Sequence, residues 1–290
     1  MEQIGFYSEG VKLVGNLWPA GDPAAKVVVF CHGAFEFQDN WFEYAERLST
    51  EGVSAFTFDF CGHGESEGQR SLVSLRVWAH NIRDALNALG EHGYREFALV
   101  GWGVGGSAAL LAAVHDRRLA CAVLLSTPVY LAPNLGERVA YGLVSVAARL
   151  KKALLKRPLT LSRLNELEVL RVAKDDDANN LLLSNPKWRA AYQAIPILES
   201  LDSVWFDITH TVRRIEIPVL VIHAGEDGII PVDQSEKLID ALQGRKQLKV
   251  VDGCGHALHL DCEKDAVYRL IARWVKKYLR PPRSDHSNNR

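Results

Sequence analysis

The chain has 290 residues and a mass of 32.2 kDa, with 48% hydrophobic and 24% charged residues. That is the balance of a globular chain forming one large domain or one domain with an insertion, and it excludes general disorder and fibrous repeats. Thirty-four Lys and Arg face 35 Asp and Glu for a net charge of -1, so no overall field draws the chain to nucleic acid or an anionic membrane, and any such partner needs a local patch.

Five cysteines stand at 31, 61, 121, 254 and 262, which fits neither a disulfide framework nor paired C-x-x-C zinc spacing. A reducing, cytoplasmic setting is expected. The first twenty residues lack a basic segment followed by an apolar one, and no run of about 18 apolar residues occurs, so neither a targeting segment nor a transmembrane span is expected.

In chain order, residues 11–18 alternate as a strand and a Pro/Gly/Asp turn follows at 19–23. Continuous apolar runs then appear at 27–30, 55–58, 97–100, 122–125 and 219–222. Runs of four without polar alternation suit strands buried on both faces, which implies a parallel sheet. Stretches 41–51, 73–93 and 105–115 carry the helical period between them, so strand and helix alternate as in an open α/β fold. The alternation stops over 128–213, where several helices are expected, separated by Pro158, by Asp175-Asp176-Asp177 and by Pro186. Strand grammar resumes at 217–222 and 248–251, a helix at 266–278 follows, and the polar stretch 281–290 is expected to be disordered.

The stretch 97–107 runs from a buried strand through Gly101-Trp102-Gly103-Val104-Gly105-Gly106 into a helix. Gly101-x-Gly103-x-x-Gly106 matches the dinucleotide fingerprint letter for letter. That reading needs a carboxylate at the end of the following strand, and Ser126-Thr127-Pro128 supplies none. The competing reading is a nucleophile elbow, a tight strand-to-helix turn that lifts one side chain above the sheet. Its companions are in place. His32-Gly33-Ala34 follows one buried strand and Asp59 to Ser66, with its Gly-His-Gly, follows the next. Gly225-Glu226-Asp227-Gly228 offers a loop-borne carboxylate, and Asp252-Gly253-Cys254-Gly255-His256 a loop-borne histidine.

With these stretches in this order, residues 10 to 280 resemble the α/β-hydrolase superfamily, and most closely its capped monoglyceride-lipase and feruloyl-esterase-like branch. The resemblance implies a doubly wound, mostly parallel sheet of about eight strands, with a core of 1–127 and 214–280 and a helical cap of 128–213. It implies Asp227 as acid, His256 as general base, and the backbone N–H groups of Ala34 and Val104 as oxyanion donors. It needs no cofactor or metal. Where the family carries its nucleophilic serine this chain has Gly103, so acyl-enzyme chemistry is unavailable at that position. Losing such a serine costs on the order of 10⁶ in turnover and leaves about 10³ to 10⁴ over water.

Other residues near the motif loops are candidate substitutes for the missing serine. Ser107 lies one helical turn past Gly103 and reads as a packing serine. Cys31, Cys61 and Cys254 flank the motif loops, but free cysteines usually behave as small buried hydrophobes. Cys254, His256, His259 and Cys262 lack the helical i, i+4 histidine pair of a metal site. His32, Cys61, Trp102, Trp188 and Trp205 are candidate pocket residues, with Phe206 a further apolar candidate; Trp188, Trp205 and Phe206 serve equally as the cap's own core.

Arg149, Lys151, Lys152, Lys156 and Arg157 lie beside Leu143, Val146, Leu150, Leu154 and Leu155, an amphipathic pattern suited to a lipid surface or an acyl carrier. The expected function is an esterase-, lipase- or thioesterase-like enzyme acting on a small acyl ester or thioester. It is either inactivated at Gly103 or uses the His256–Asp227 dyad to activate water or a carbon acid. The alternative is a non-catalytic ligand-binding or regulatory protein.

Overall fold

The computed structural model describes residues 1–20, 26–167 and 170–279. The tail of 281–290 and the later part of the turn expected at 19–23 lie outside these residues. An antiparallel hairpin, β1 (Glu2–Ser8) and β2 (Val11–Trp18), opens the chain. Alternation then runs through β3 (Lys26–Cys31), α1 (Phe42–Thr50), β4 (Ser54–Phe58), α2 (Leu75–Glu91), β5 (Glu96–Trp102), α3 (Gly103–Ala113) and β6 (Leu119–Leu125). The four apolar runs in this part of the sequence are the interiors of β3, β4, β5 and β6, and they are buried. Such strands have helices on both faces because neither face can be left in water.

The stretch that breaks the alternation contains β7 (Tyr130–Leu131), α4 (Leu135–Leu155), β8 (Thr160–Leu161), α5 (Leu164–Leu167), α6 (Asp176–Ser184), α7 (Pro186–Gln193), β9 (Ile195–Pro196), β10 (Phe206–Asp207) and α8 (Thr209–Val212). Two of the expected breakers turn out to be helix starts. The Asp175 side chain accepts from the Ala178 N–H at 2.7 Å and caps α6, and Pro186 occupies the first turn of α7, where a missing N–H costs nothing. The stretch is also not purely helical: β7 pairs with β10 and β8 with β9. Two-residue ladders are too short to show any alternation in sequence, so pattern reading passes over them.

Alternation resumes with β11 (Val219–Ala224), α9 (Asp233–Ala241), β12 (Lys246–Val251) and α10 (Lys264–Tyr278). The main sheet has eight strands in the order β1-β2-β4-β3-β5-β6-β11-β12. Along that order β4, β3, β5, β6, β11 and β12 pair in parallel, while β1 with β2 and β2 with β4 pair antiparallel at one edge. One face packs on α2, α3 and α9, with Trp78, Ile82, Leu86 and Leu89 of α2 fully buried; each such side chain contributes roughly 1.5–3 kcal/mol. The other face packs on α1 and α10. The fold is thus the doubly wound α/β sheet expected from the sequence.

This topology gathers the motif loops. Those carrying His32, Gly103, Ser126, Asp227 and His256 follow β3, β5, β6, β11 and β12, so all open at the carboxyl edge of the parallel strands, where open α/β sheets bind ligands.

Candidate active site

The strand-to-helix turn is tighter than the sequence pattern suggested, since α3 starts at Gly103 itself rather than at 105. Gly103 has φ 54°, a left-handed conformation at which glycine carries no Cβ penalty. A Cβ placed there would lie 3.5 Å from His256 Nε2. Position 103 and the histidine 153 residues later therefore face each other.

The imidazole is held from behind. His256 Nδ1 lies 2.8 Å from Asp227 Oδ2, and the Asp227 side chain is 1% exposed. Asp227 Oδ1 accepts from the Ile229 and Ile230 N–H groups at 2.9 and 2.8 Å. Burial alone pushes this carboxyl up, but His256, the Ile230 N–H and the Ser126 hydroxyl together hold it below the usual carboxylate value. An ionised Asp227 can only accept, so Nδ1 carries the proton and Nε2 is left with its lone pair toward position 103. The Trp102 indole N–H also donates to the His256 carbonyl at 2.8 Å and fixes the His256 loop against the strand-to-helix turn. His223 packs beside Asp227 but is occupied elsewhere, with Ser235 Oγ at 2.7 Å and the Ile230 carbonyl at 3.0 Å.

Ala34 and Val104 line the same cavity as Gly103 and His256. The Val104 N–H belongs to the first turn of α3, where N–H groups lack intrahelical partners, and no side chain caps this helix. The helix lies close against the loop after β3: a Cβ on Gly105 would fall 1.9 Å from the His32 carbonyl oxygen. The cavity has a volume of about 660 Å³, and its lining includes residues between β6 and β11, among them Leu131, Trp188, Tyr192, Ile195 and Val204. Size and mainly apolar lining fit a small organic ligand.

Of the candidate pocket residues, Trp102 and Trp188 line this cavity. His32 does not: it is buried, with Nδ1 2.8 Å from the Gly33 carbonyl and Nε2 accepting from the Phe60 N–H at 3.0 Å, so it braces two loops. Cys61 is packed against Gly68, away from the cavity lining. Trp205 is 48% exposed, with the Arg138 guanidinium over its ring, and Phe206 lines a different cavity between α2 and α3. Ser107 is buried and donates to the Pro128 carbonyl at 2.6 Å. Burial raises the thiols of Cys31 and Cys254, the latter to about 11, which disfavours the nucleophilic thiolate. His256 and His259 diverge, one toward Asp227 and the other toward Glu36.

Sequence reading missed the parts played by Ser126 and Glu36, and it considered His259 only as a metal ligand, whereas its ring pairs with Glu36. Ser126 carries a weak signal, standing at the end of a buried strand; a buried glutamate three residues past His-Gly carries none.

Residues 22–263 match the family model described as serine aminopeptidase, S33. A monoacylglycerol lipase from Mycolicibacterium smegmatis is 26% identical over 276 residues, covering 93% of this chain and 95% of that one. An uncharacterized 31.7 kDa protein in the traX-finO intergenic region of Escherichia coli is 24% identical over 297 residues, covering 94% and 97%. Among solved structures, the α/β hydrolase GrgF from Penicillium sp. sh18 superposes with a TM-score of 0.82 at 18% identity, covering 96% of this chain and 98% of that chain.

Proposed function

We propose, from the premise that this chain belongs to the serine aminopeptidase S33 family of α/β-hydrolases, that it cleaves an acyl ester or thioester with water as nucleophile and the His256–Asp227 dyad as base. The observation carrying this reading is the 3.5 Å between His256 Nε2 and the point where a side chain on residue 103 would begin. A serine there would stand between base and substrate. With glycine, the lone pair of Nε2 meets the cavity directly.

Water against Nε2 gives its proton to the ring as its oxygen bonds the acyl carbon. The former carbonyl oxygen takes the negative charge, facing the Ala34 and Val104 N–H groups. Collapse of this adduct expels the alcohol or thiol, which takes the proton back from Nε2. No acyl-enzyme forms, so turnover is slow, about 10³ to 10⁴ over water. The apolar cavity lining and the similarity to a monoacylglycerol lipase both support an aliphatic acyl group.

In the same reading, residues 128–213 act as a cap that selects the substrate. Its helix α4 meets an anionic lipid surface: Leu135, Val139, Leu143, Val146, Leu150 and Leu154 form an exposed apolar stripe beside Arg149, Lys151 and Lys156.

The test compares the chain itself, His256→Ala, Gly103→Ser, and Gly103→Ser with His256→Ala on nitrophenyl esters of increasing acyl length. Expected are slow hydrolysis by the parent that is lost in His256→Ala, a gain of several orders of magnitude in Gly103→Ser, and loss of that gain in the double variant. The glycine itself favours a second reading, a non-catalytic binder of the same ligand class. Silence of all variants would select it, and His256→Ala should then hold its ligand as tightly as the parent.

A further inference from the structure

The loop after β3 holds a residue in an unfavourable conformation. Phe35 has φ 61°, a left-handed geometry that a bulky L-residue keeps only where its surroundings over-determine it. The over-determination comes from Glu36. Its backbone N–H donates to the Gly33 carbonyl at 3.3 Å, and its carboxylate Oε2 accepts from the Gly33 N–H at 3.0 Å. The four residues Gly33 to Glu36 are thereby closed into a small ring whose middle members are Ala34 and Phe35.

The other oxygen reaches across the molecule. Glu36 Oε1 takes His259 Nε2 at 2.5 Å and Asn40 Nδ2 at 3.2 Å, and both Glu36 and His259 side chains are 0% exposed. Burial would neutralise this carboxyl, but the His259 contact and the Gly33 N–H hold it below its ordinary value, so the clamp is a charged one. His259 stacks flat on Trp41 at 4.0 Å and lies 5.0 Å from the Trp102 ring. Trp102 in turn touches both sides of the site: a Cβ on Gly33 would fall 2.2 Å from its ring, and its N–H holds the His256 carbonyl. Glu36 does not line the cavity.

We propose that Glu36 is a positioning residue, which sets the Gly33–Ala34 backbone relative to His256 by tying the loop after β3, through His259, to the segment that carries the base. It rests on the reading of Ala34 as an oxyanion donor, but its first readout does not. A buried carboxylate with all its contacts in two loops, and none in the cavity, can act only by holding those loops in register.

Amide hydrogen exchange of Gly33 and Ala34 should accelerate at least tenfold in Glu36→Ala, while amides of β5 keep parental protection. His259→Gln lies 223 residues away in sequence, and it should accelerate the same two amides. In the Gly103→Ser background, Glu36→Ala should lower kcat on the order of 10²-fold, the scale of a misplaced oxyanion donor, with KM changed less than about threefold, and Glu36→Gln should fall between. Unchanged exchange at Gly33 and Ala34 in a folded His259→Gln or Glu36→Ala would overturn the proposal. So would an unchanged kcat in an active Gly103→Ser background. If Gly103→Ser is itself inactive while the two amides still accelerate, the hydrolase reading fails and the positioning role stands. Should Glu36→Ala not fold, the His259→Gln exchange decides.

Discussion

A side chain at position 103 has to be held at φ 54° to face His256, and that geometry taxes every residue except glycine. Gly103→Ser is therefore expected to lower stability by about 1–2 kcal/mol, read as a shift of the urea midpoint, even as it raises esterase activity. A serine that fits without cost would mean the turn is less constrained than its φ implies. Asp227 provides a second test at this scale. It accepts hydrogen bonds from the His256 Nδ1–H and two backbone N–H groups, so Asp227→Asn would leave the ring in place while permitting the wrong tautomer. In the Gly103→Ser background it should lose on the order of 10⁴ in kcat, with far-UV circular dichroism unchanged. A loss under tenfold would show that His256 is oriented by something else. The histidine, the aspartate and the glycine were all legible from strand-end position. Ser126 and Glu36 were not, since only their partners, distant in sequence, distinguish them from ordinary polar residues.

Helix α4 shows how element-level signals divide. Its start is written locally: the Asn134 side chain accepts from the Glu137 N–H at 3.0 Å and the Glu137 carboxylate accepts from the Asn134 N–H at 2.8 Å, a reciprocal cap. Its amphipathic period was also readable, but which face meets the protein was not. Leu143 is 70% exposed and Leu154 79%, while Ser145 and Ala148 are buried, so the small residues pack inward and the leucines look out. On the lipid-surface reading, Leu143→Gln with Leu150→Gln should reduce partition into vesicles rich in phosphatidylserine about tenfold or more, each leucine contributing roughly 1.5–3 kcal/mol when buried in acyl chains. Raising salt from 0.1 to 1 M should weaken the parent's binding as the basic side chains are screened. Salt-independent binding, or unchanged binding by the double variant, would remove the lipid reading of α4. No helix among the described residues is long and apolar enough to cross a membrane.

At the scale of the whole fold, burial holds three histidines among the described residues below their ordinary value and so uncharged at neutral pH. Burial lowers His32 and His223 and pushes His63 down from 6.5 to about 3, with His32 adding to the effect on His63. The unfolded chain takes up protons near pH 6.5 while the folded chain does not, so this stability is complete above that pH and is lost progressively as pH falls toward 3. Each such histidine contributes a slope of about 1.4 kcal/mol per pH unit within its window. Asp227, held below its ordinary value, adds stability present above that value and lost at still lower pH. Urea midpoints should be flat from pH 8 to 7 and fall from 6.5 downward, and His63→Gln should flatten that fall; a midpoint constant to pH 4.5 would contradict neutral burial. The buried parallel strands, their order with the helices and the loops at their ends are written in the chain, because continuous apolar runs and small-residue turns are local consequences of burial and backbone geometry. Packing sets the rest: His256 faces Gly103, His32 and Cys61 turn away from the cavity, and Glu36 finds His259. A polar side chain reads the same in sequence whether it braces a loop or faces a ligand, and its role is set by the packing of elements that are far apart in the chain.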